Sequence, residues 1–314
     1  MKLKLYIYII FLSLFSCNKS SVDKNQLKLL EDITLFSGDL FRVENFKSIF
    51  VSERNVDIWI PDSYNTNTSY SVFYMHDGQS LFDPSKTWNN QEWKVDEWST
   101  KLMNINAVKD FIVVGIHNGL KSRWYDYFPQ KSLDFMPNID LSNIIIDESK
   151  LNSDNYLKFI VKELKPFIDN NFSTKKNAEN TIIGGSSMGG LISMYAVFEY
   201  PEIFGSAACL STHWVGHLDI ANRDIFSKAI FDYMSYNIPV SNNNNKFYFD
   251  YGTETLDSYY LEYANAVDSI FYSNGYNELN FVNLKFENEN HSENSWNKRL
   301  NVPIEFLLKK EPYE

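Results

Sequence analysis

A glycine-rich turn near the middle of the chain carries the strongest chemical signal in the sequence. The turn reads Gly-Gly-Ser-Ser-Met-Gly-Gly over residues 184–190 and lies between an apolar β-rich run and a helical pattern. Ser187 has a glycine two positions before it and another two positions after it, which is the spacing of a nucleophile elbow. Centring the motif on Ser186 would put Met188 where the second glycine belongs. Because small neighbours let a strand and a helix approach closely around a strained serine, Ser187 is the predicted nucleophile.

A serine nucleophile needs a general base, and the chain offers five histidines. In the α/β-hydrolases, which this elbow resembles, the order along the chain is nucleophile, acid, histidine. His213 and His217 follow Ser187 closely, in the loop after the next strand, whereas His291 lies beyond the last predicted strand in the polar loop 288–292. From that loop an imidazole can swing over the elbow. His291 is therefore the predicted base.

Three carboxylates compete for the role of the acid that orients the base. All of them lie in or beside the loop that follows the seventh predicted strand. Asp250 belongs to the end of the strand, while Glu254 and Asp257 lie in the loop itself, where a carboxylate can reach an imidazole. We favour Asp257 as the acid and keep Glu254 as the alternative.

Two backbone N–H groups are needed to stabilise the negative charge that develops on an attacked carbonyl oxygen. One comes from the residue after the nucleophile, which is Met188, and the other from the loop after the third predicted strand. That strand ends in Tyr-Met-His-Asp-Gly-Gln over residues 74–79, a glycine turn that makes the amide of Gln79 the natural second donor. Met188 and Gln79 are therefore the predicted oxyanion hole.

These residues need a framework that brings distant segments together, and alternating β-rich and helical patterns supply one. Helical patterns occupy 156–168, 190–199 and 259–272, and a final segment, 293–310, is interrupted by Pro303. The first strands have no helix between them, which favours an antiparallel entry into the sheet. The later alternation predicts an α/β fold, a three-layer α/β/α sandwich with a mostly parallel central sheet of about eight strands. The eight β-rich runs are 40–49, 56–60, 70–75, 111–116, 181–183, 206–210, 246–249 and 280–286.

The first 17 residues have the pattern of a lipoprotein-type signal peptide. Two lysines precede an apolar run, 5–14, that is too short to span a membrane. The run ends in Leu-Phe-Ser-Cys, which resembles the lipobox of bacterial lipoproteins and makes Cys17 the predicted lipidation site. We expect an exported protein of the bacterial cell envelope, periplasmic or at the cell surface, with residues 18–35 as a tether and 36–314 as one catalytic domain.

Composition excludes some classes of function. Forty acidic residues against 29 basic ones give a formal net charge of −11, which repels phosphate backbones, so nucleic acid is excluded as a partner. Cys209 would be the one cysteine left after Cys17 is lipidated, which excludes an internal disulfide, and its apolar surroundings predict a buried thiol. The 20 tyrosines, 24 phenylalanines and 7 tryptophans either build the core or line a cleft that stacks rings or sugars.

Four segments together resemble the esterase family of the α/β-hydrolase superfamily, which includes feruloyl and acetyl esterases, siderophore trilactone esterases, S-formylglutathione hydrolase and mycolyltransferases. The segments are 74–79, 185–190, 252–257 and the pair His291 and Trp296. The resemblance covers the chain from about residue 36 to the C-terminus. It implies a mechanism with no cofactor and no metal, in which Ser187 attacks an ester carbonyl and forms an acyl-enzyme, and water activated by His291 releases the acid.

The resemblance also points to residues that contact substrate. In relatives the loop after the fourth strand shapes the substrate pocket, and here that loop carries Arg123 and Trp124, so Arg123 is expected to hold a carboxylate or hydroxyls. A structural ion pair with Asp126 or another local acid is the alternative. His213 and Trp214, which follow the sixth strand, are further candidates for the pocket wall.

Three functions are compatible with these features. The first is hydrolysis of a carboxylic ester, with removal of acetyl or feruloyl-type groups from plant or microbial carbohydrate; export and aromatic loops favour it. The second is hydrolysis of a siderophore trilactone. The third is a non-catalytic binding module, since this fold also has members without activity. The expected partners are therefore a small-molecule or carbohydrate ester and, through a lipid on Cys17, the membrane.

Overall fold

The described strands of the protein lie in a single mixed sheet. The computed structural model describes residues 27–136, 147–216, 223–241 and 245–310. The strands in these ranges are β1 (Leu27–Leu29), β2 (Asp39–Phe46), β3 (Arg54–Ile60), β4 (Ser71–His76), β5 (Phe111–Ile116), β6 (Thr181–Ser186), β7 (Ser206–Leu210), β8 (Lys246–Gly252) and β9 (Phe281–Phe286). These nine described strands are ordered β1-β2-β3-β5-β4-β6-β7-β8-β9 across the sheet.

The direction of the strands determines where the loops of the site meet. β1, β2 and β3 are antiparallel to their neighbours, whereas β4 to β9 run parallel to one another. The register pairs Met75 of β4 with Gly184 of β6, and Gly185 of β6 with Cys209 of β7. The carboxyl ends of the parallel strands therefore meet at one edge of the sheet, where ligands bind in open α/β sheets.

Helices cover both faces of the sheet. They are α1 (Val95–Asn104), α2 (Arg123–Tyr127), α3 (Ser153–Phe159), α4 (Lys165–Asn171), α5 (Met188–Glu199), α6 (Arg223–Asn237), α7 (Leu261–Ser273), α8 (Glu293–Asn297) and α9 (Asn301–Leu308), with a π-helical turn, Ile160–Leu164, between α3 and α4. Buried side chains of α2 to α7 pack against one face of the sheet, and those of α1, α8 and α9 pack against the other. The predicted α/β-hydrolase architecture, a three-layer sandwich with a mostly parallel sheet, is confirmed.

The fold begins earlier than the sequence predicts. β1 pairs with β2 in antiparallel register, with Leu27 opposite Val43. The prediction of a tether over 18–35 is therefore wrong for residues 27–35. The Leu-Lys-Leu of β1 is too short to give a periodic signal, and only its pairing partner shows that it is a strand. Cys17, the signal peptide and the first part of the tether lie outside the described residues.

The helical patterns of the sequence are found where they were expected, but three helices are additional. α1, α2 and α6 occupy segments for which the sequence analysis predicts no helix. At the C-terminus Pro303 does not interrupt a helix. It lies in the first turn of α9, where its missing N–H removes no intrahelical hydrogen bond, and the break falls before it, between α8 and α9.

α5 is the central buried helix of the protein. Every side chain from Met188 to Phe198 is buried. A helix that is apolar all round is stable only inside a core or a bilayer, and here it packs against β6 and β7. The residue that precedes α5, Ser187, is therefore attached to the most enclosed helix of the fold.

Candidate active site

Ser187 lies at the sharp turn between β6 and α5. Its backbone angles, φ 59° and ψ −122°, lie in a region that residues other than glycine rarely adopt. Two hydrogen bonds hold the turn: the amide of Ser187 donates to the carbonyl of Leu210 at 2.9 Å, and its carbonyl accepts from the amide of His213 at 3.1 Å. The structure thus places a strained serine at the strand-to-helix turn that the glycine motif predicts.

The glycines around Ser187 differ in how much space surrounds them. A Cβ at Gly184 would lie 2.8 Å from the ring of Phe73, and one at Gly185 would lie 3.1 Å from the Cβ of His76 and 3.2 Å from the Cα of Gly189. A Cβ at Gly189 would lie 3.5 Å from its nearest described neighbour outside the helix backbone, the Cβ of His76. Position 189 therefore has room for a methyl group, whereas a close approach is required at Gly184 and Gly185, and at Gly190, where a Cβ would lie 2.7 Å from Oγ1 of Thr212.

His291 and Asp257 are joined by a short hydrogen bond. Nδ1 of His291 lies 2.6 Å from Oδ1 of Asp257, whose side chain is fully buried. Glu254, the alternative acid, is exposed, so of the two loop carboxylates it is Asp257 that the fold brings to the imidazole. An ionised carboxylate can only accept, so Nδ1 carries the proton and Nε2 is left as the basic nitrogen.

Three donors surround the Asp257 carboxylate. Besides His291, the amide of Gly252 donates to Oδ2 at 2.7 Å and the hydroxyl of Ser211 donates to the same oxygen at 2.5 Å. Burial raises the pKa of Asp257, but the hydrogen bond and charge of His291, with the bonds from Ser211 and Gly252, outweigh burial and hold the pKa below its ordinary value of 3.8. Asp257 is therefore ionised at neutral pH.

The loops that carry the acid and the base are tied together by their backbones. The amides of Thr253 and Glu254 both donate to the carbonyl of Glu289 at 3.0 Å. The amide of His291 in turn donates to the hydroxyl of Thr255 at 3.0 Å. The loop after β8 and the loop after β9 therefore form one unit, and this unit sets the position of His291 relative to Asp257.

Ser187 and His291 lie at the same sheet edge, because they follow the carboxyl ends of β6 and β9. His213, whose amide holds the carbonyl of Ser187, has its Nδ1 2.9 Å from the hydroxyl of Tyr260, and the ring of Tyr260 is centred 6.1 Å from that of His291. Among the described residues, neither the Ser187 hydroxyl nor Nε2 of His291 has a hydrogen-bond partner. Both groups are available to a bound substrate. A hydrogen bond between a nucleophile and its base commonly forms or tightens only in the substrate complex.

The predicted oxyanion donors come from two turns that pack against each other. Met188 is the first residue of α5, and Gln79 lies in a short 3₁₀ helix, Gly78–Ser80, directly after β4. The first amides of a helix have no acceptor within it and are free to bind an anion. The Cβ that Gly189 lacks would lie 3.6 Å from Oδ2 of Asp77, which places the start of α5 beside the turn that carries Gln79.

Arg123 forms an ion pair with Asp77, and not with Asp126, the acid named in the sequence analysis. Its Nε and Nη2 lie 2.8 and 2.7 Å from the two carboxylate oxygens of Asp77, and Asn118 donates to the same carboxylate at 2.7 Å. Burial raises the pKa of Asp77, but the charge and hydrogen bonds of Arg123 outweigh it and hold the pKa below its ordinary value. The structural ion pair is thus made with Asp77, whereas Asp126 pairs with the buried Arg54.

The other candidate substrate residues occupy different environments. Trp124 is half-buried, donates from Nε1 to the carbonyl of Gly216 at 3.0 Å and stacks on Phe128. His213 is buried between the elbow and Tyr260, close to the site. Trp214, the other candidate for a pocket wall, is only 4% exposed and packs within the hydrophobic core.

Ser211 and Arg299 are the residues of this region that sequence reasoning missed. Ser211 follows β7 and hydrogen-bonds to Asp257, to Nε1 of Trp296 and to Arg299. Arg299 also pairs with Asp250, the carboxylate at the end of β8. Only the position of a serine directly after a predicted strand could have drawn attention to Ser211, because the partners of its hydroxyl are supplied by segments more than 45 residues away.

The described ranges also bear on metal binding, membrane insertion and the reactivity of Cys209. No group of three or more His, Cys, Asp or Glu side chains there could hold a metal ion. Over the same residues, the protein has no helix with the length and apolar character needed to cross a membrane. Cys209 is a free, fully buried cysteine in β7, as predicted, and burial raises the pKa of its thiol well above its ordinary value.

Known structures share this architecture. A ferulic acid esterase is 16% identical with a TM-score of 0.61, and the match covers 87% of this chain and 99% of that one. The enterobactin esterase FES from Shigella flexneri is 14% identical with a TM-score of 0.62, and the match covers 90% of this chain and 61% of that one. At these identities the likeness shows a common fold.

Sequence comparison gives the family. The uncharacterized protein YbbA of Bacillus subtilis (strain 168) is 27% identical over 163 residues, which cover 51% of this chain and 58% of YbbA. YjcH of the same organism is 23% identical over 177 residues, which cover 55% of this chain and 62% of YjcH, so the chain matches about three fifths of the length of either relative. The family model described as "Putative esterase" matches residues 48–307. The chain therefore belongs to this esterase family.

Proposed function

We propose that the protein is a serine carboxylic-ester hydrolase that works through an acyl-enzyme. The observation that carries the proposal is the 2.6 Å hydrogen bond between His291 and the buried Asp257, formed at the sheet edge where Ser187 occupies a strained turn. Nucleophile, acid and base follow one another in the chain order of α/β-hydrolases. Membership of the esterase family supports an ester as the substrate.

In the proposed reaction the Ser187 hydroxyl attacks the ester carbonyl while Nε2 of His291 takes its proton. The ionised Asp257 stabilises the imidazolium through Nδ1. The carbonyl oxygen becomes negative and accepts hydrogen bonds from the amides of Met188 and Gln79. When the tetrahedral intermediate collapses, the bond to the leaving oxygen breaks, and that oxygen takes the proton from His291 and departs as the alcohol.

Deacylation repeats these steps with water in place of the serine. Nε2 of His291 takes a proton from water as the water oxygen attacks the acyl carbon, and the same two amides stabilise the second oxyanion. Collapse then breaks the bond to Ser187, whose oxygen recovers the proton from His291. The carboxylic acid leaves and the enzyme returns to its starting state.

We further propose that the ester is an acetyl or feruloyl-type group borne by carbohydrate. Trp88 is 87% exposed and lies in the loop between β4 and α1. The loop is bound to the start of α8, just after His291: the amide side chain of Asn89 donates to Glu293 at 2.9 Å, and Gln91 accepts from the backbone amide of Asn294 at 3.2 Å. An exposed indole in a loop bound to the segment that follows the base offers a face on which a sugar or an aromatic ring stacks.

The test combines an active-site probe with a hydrolysis screen. A fluorophosphonate is expected to label wild type and Ser186→Ala but not Ser187→Ala, since Ser186 is the adjacent serine without a role in the site. The same three proteins would be assayed on p-nitrophenyl acetate, methyl ferulate, acetylated xylan and a catecholate trilactone. Hydrolysis that survives Ser187→Ala would refute the assignment of the nucleophile.

The screen also separates the two alternatives. Cleavage of the trilactone without release of acetate or ferulate would favour a siderophore esterase, a function supported by the shared fold of an enterobactin esterase. A folded wild type that neither hydrolyses any ester nor reacts with the probe would favour a binding module.

We also propose that the protein is exported and carries a lipid on Cys17, because the first 17 residues have the pattern of a lipoprotein signal. The full chain expressed in a bacterium is expected in the detergent phase of a membrane extract. Cys17→Ser should remove it from that phase, and equal partition of both proteins would contradict the proposal.

A further inference from the structure

The hydroxyl of Ser211 contacts the acid of the proposed site, and the directions of its three hydrogen bonds are fixed by its partners. Its hydroxyl oxygen is 2.5 Å from Oδ2 of Asp257, 2.9 Å from Nε1 of Trp296 and 2.9 Å from Nη2 of Arg299. An indole and a guanidinium are donors only. The hydroxyl oxygen therefore accepts from Trp296 and Arg299, and its single proton is committed to Asp257.

Arg299, one of the two donors to the Ser211 hydroxyl, forms a buried ion pair with Asp250. Nη2 and Nε of Arg299 lie 2.9 and 3.1 Å from the two carboxylate oxygens of Asp250, and both side chains are almost completely buried. The hydroxyl of Tyr248 also donates to Asp250, at 2.9 Å. Because a buried, bidentate guanidinium has little freedom to rotate, Arg299 gives the Ser211 hydroxyl a fixed donor.

The backbone of Ser211 is constrained as well. Its φ of 42° lies in the left-handed region, which glycine adopts without strain and serine does not. Its amide donates to the carbonyl of Asp250 at 2.9 Å, which holds the residue in that conformation. A serine in a position that would suit glycine indicates that the side chain, and not the turn alone, is needed here.

We propose that Ser211 is a positioning residue for the acid: its hydroxyl orients the Asp257 carboxylate toward His291 and couples it to the Asp250–Arg299 ion pair. The inference rests on the proposed esterase function. Ser211 acts through Asp257 and does not touch the substrate. An imidazolium forms only during the reaction, and a carboxylate free to rotate stabilises it less, so the loss of the hydroxyl affects kcat rather than KM.

The first test compares two buried serines. Ser211→Ala is expected to lower kcat by about tenfold to hundredfold, the range for a hydrogen bond to a charged group, with KM unchanged. Ser71→Ala is the matched control, because the Ser71 hydroxyl is fully buried and donates to Asn180 at 2.8 Å, but lies at the opposite, amino end of β4. Should Ser211→Ala fail to fold, Ser211→Gly removes the same hydroxyl in a residue that accepts the backbone angle, and the same loss is expected.

The second test measures coupling between Ser211 and Asp257. In an Asp257→Asn background, Ser211→Ala should change the residual kcat by less than about twofold, because residues that act as a unit are non-additive. A hydroxyl with only a structural role would lower kcat by the same factor in both backgrounds. That result, or an unchanged kcat in the single variant, overturns the inference.

Different results would refute the proposed esterase function and the proposed role of Ser211. If wild type hydrolyses ester through Ser187 and Ser211→Ala keeps its kcat, only the role of Ser211 is refuted. If wild type neither hydrolyses any ester nor reacts with a fluorophosphonate, the proposed function is refuted and the role of Ser211 is refuted with it.

Discussion

Arg123 is the counter-ion of Asp77, the residue in left-handed conformation, φ 56°, that begins the turn carrying Gln79. The amide of Asn118 donates to the side-chain oxygen of Gln79 at 3.2 Å, so the loop after β5 holds this turn through a charged and a neutral contact. We therefore expect Arg123 to support the turn that carries the proposed oxyanion donor Gln79; the sequence left open contact with substrate or a structural ion pair.

The first prediction distinguishes these two roles of Arg123. If the guanidinium fixes the Gln79 turn, Arg123→Gln should lower kcat on p-nitrophenyl acetate by about tenfold or more, by analogy with the loss of an oxyanion donor, and should change KM little. If Arg123 holds the substrate, KM should rise instead. Arg123→Lys, which keeps a positive charge beside Asp77, should retain more of the kcat than Arg123→Gln.

The second prediction concerns Trp88. Trp88→Ala should raise KM for methyl ferulate and acetylated xylan by about threefold to tenfold, the loss of one stacking contact of about 1 kcal/mol, and leave kcat/KM for p-nitrophenyl acetate nearly unchanged. Trp88→Phe should keep most of the affinity. Equal effects on the small and the large ester would mean that Trp88 supports the His291 loop and does not bind a ring.

The third prediction contrasts two glycines of the elbow. Gly184→Ala should lower the free energy of unfolding by about 1–3 kcal/mol, because a methyl group there would overlap the ring of Phe73. Gly189→Ala should cost less than about 1 kcal/mol, because the new methyl group has an ordinary contact distance. Urea unfolding of both variants measures the difference. Equal destabilisation would show that position 189 is packed as tightly as position 184.

The fourth prediction concerns pH and lies outside the site. Burial, with a smaller contribution from Glu97, raises the pKa of Asp96 to about 7, while its carboxylate accepts the amide of Phe36 at 2.6 Å. A carboxyl group with a raised pKa in the folded state adds stability below its ordinary pKa of 3.8, and this stability is lost as the pH rises through 7. Asp96→Asn keeps an acceptor and does not titrate. Measured by urea unfolding, it should gain stability relative to wild type between pH 5 and pH 8, and a constant difference would contradict the raised pKa.

The parts of the molecule that sequence reasoning predicted are those with a local signal. The strand-to-helix context around Ser187 and the apolar runs of the parallel strands depend on neighbours along the chain, and the eight predicted strands correspond to β2 to β9. The polar loop with His291 was recognised because it follows the last of these runs. These local signals are sufficient to predict the candidate nucleophile, acid and base without knowledge of their contacts.

The parts that were missed depend on contacts between distant segments. β1 is three residues long and is a strand only because β2 lies beside it. The partner of Arg123 is 46 residues earlier in the chain, and the partners of Ser211 include Arg299, 88 residues later. No periodicity encodes such pairs, so the supporting contacts of a site are harder to predict than the residues that do its chemistry.

The carbonyl of Glu289, which accepts the amides of Thr253 and Glu254, joins the loop that carries Asp257 to the loop that carries His291. A change in either loop is therefore transmitted to the other, because the loop after β8 and the loop after β9 share this acceptor. Asp257 is also bound to Ser211, and the residue before Ser211, Leu210, accepts the amide of Ser187. The two loops are thus linked through β7 to the turn that carries the candidate nucleophile.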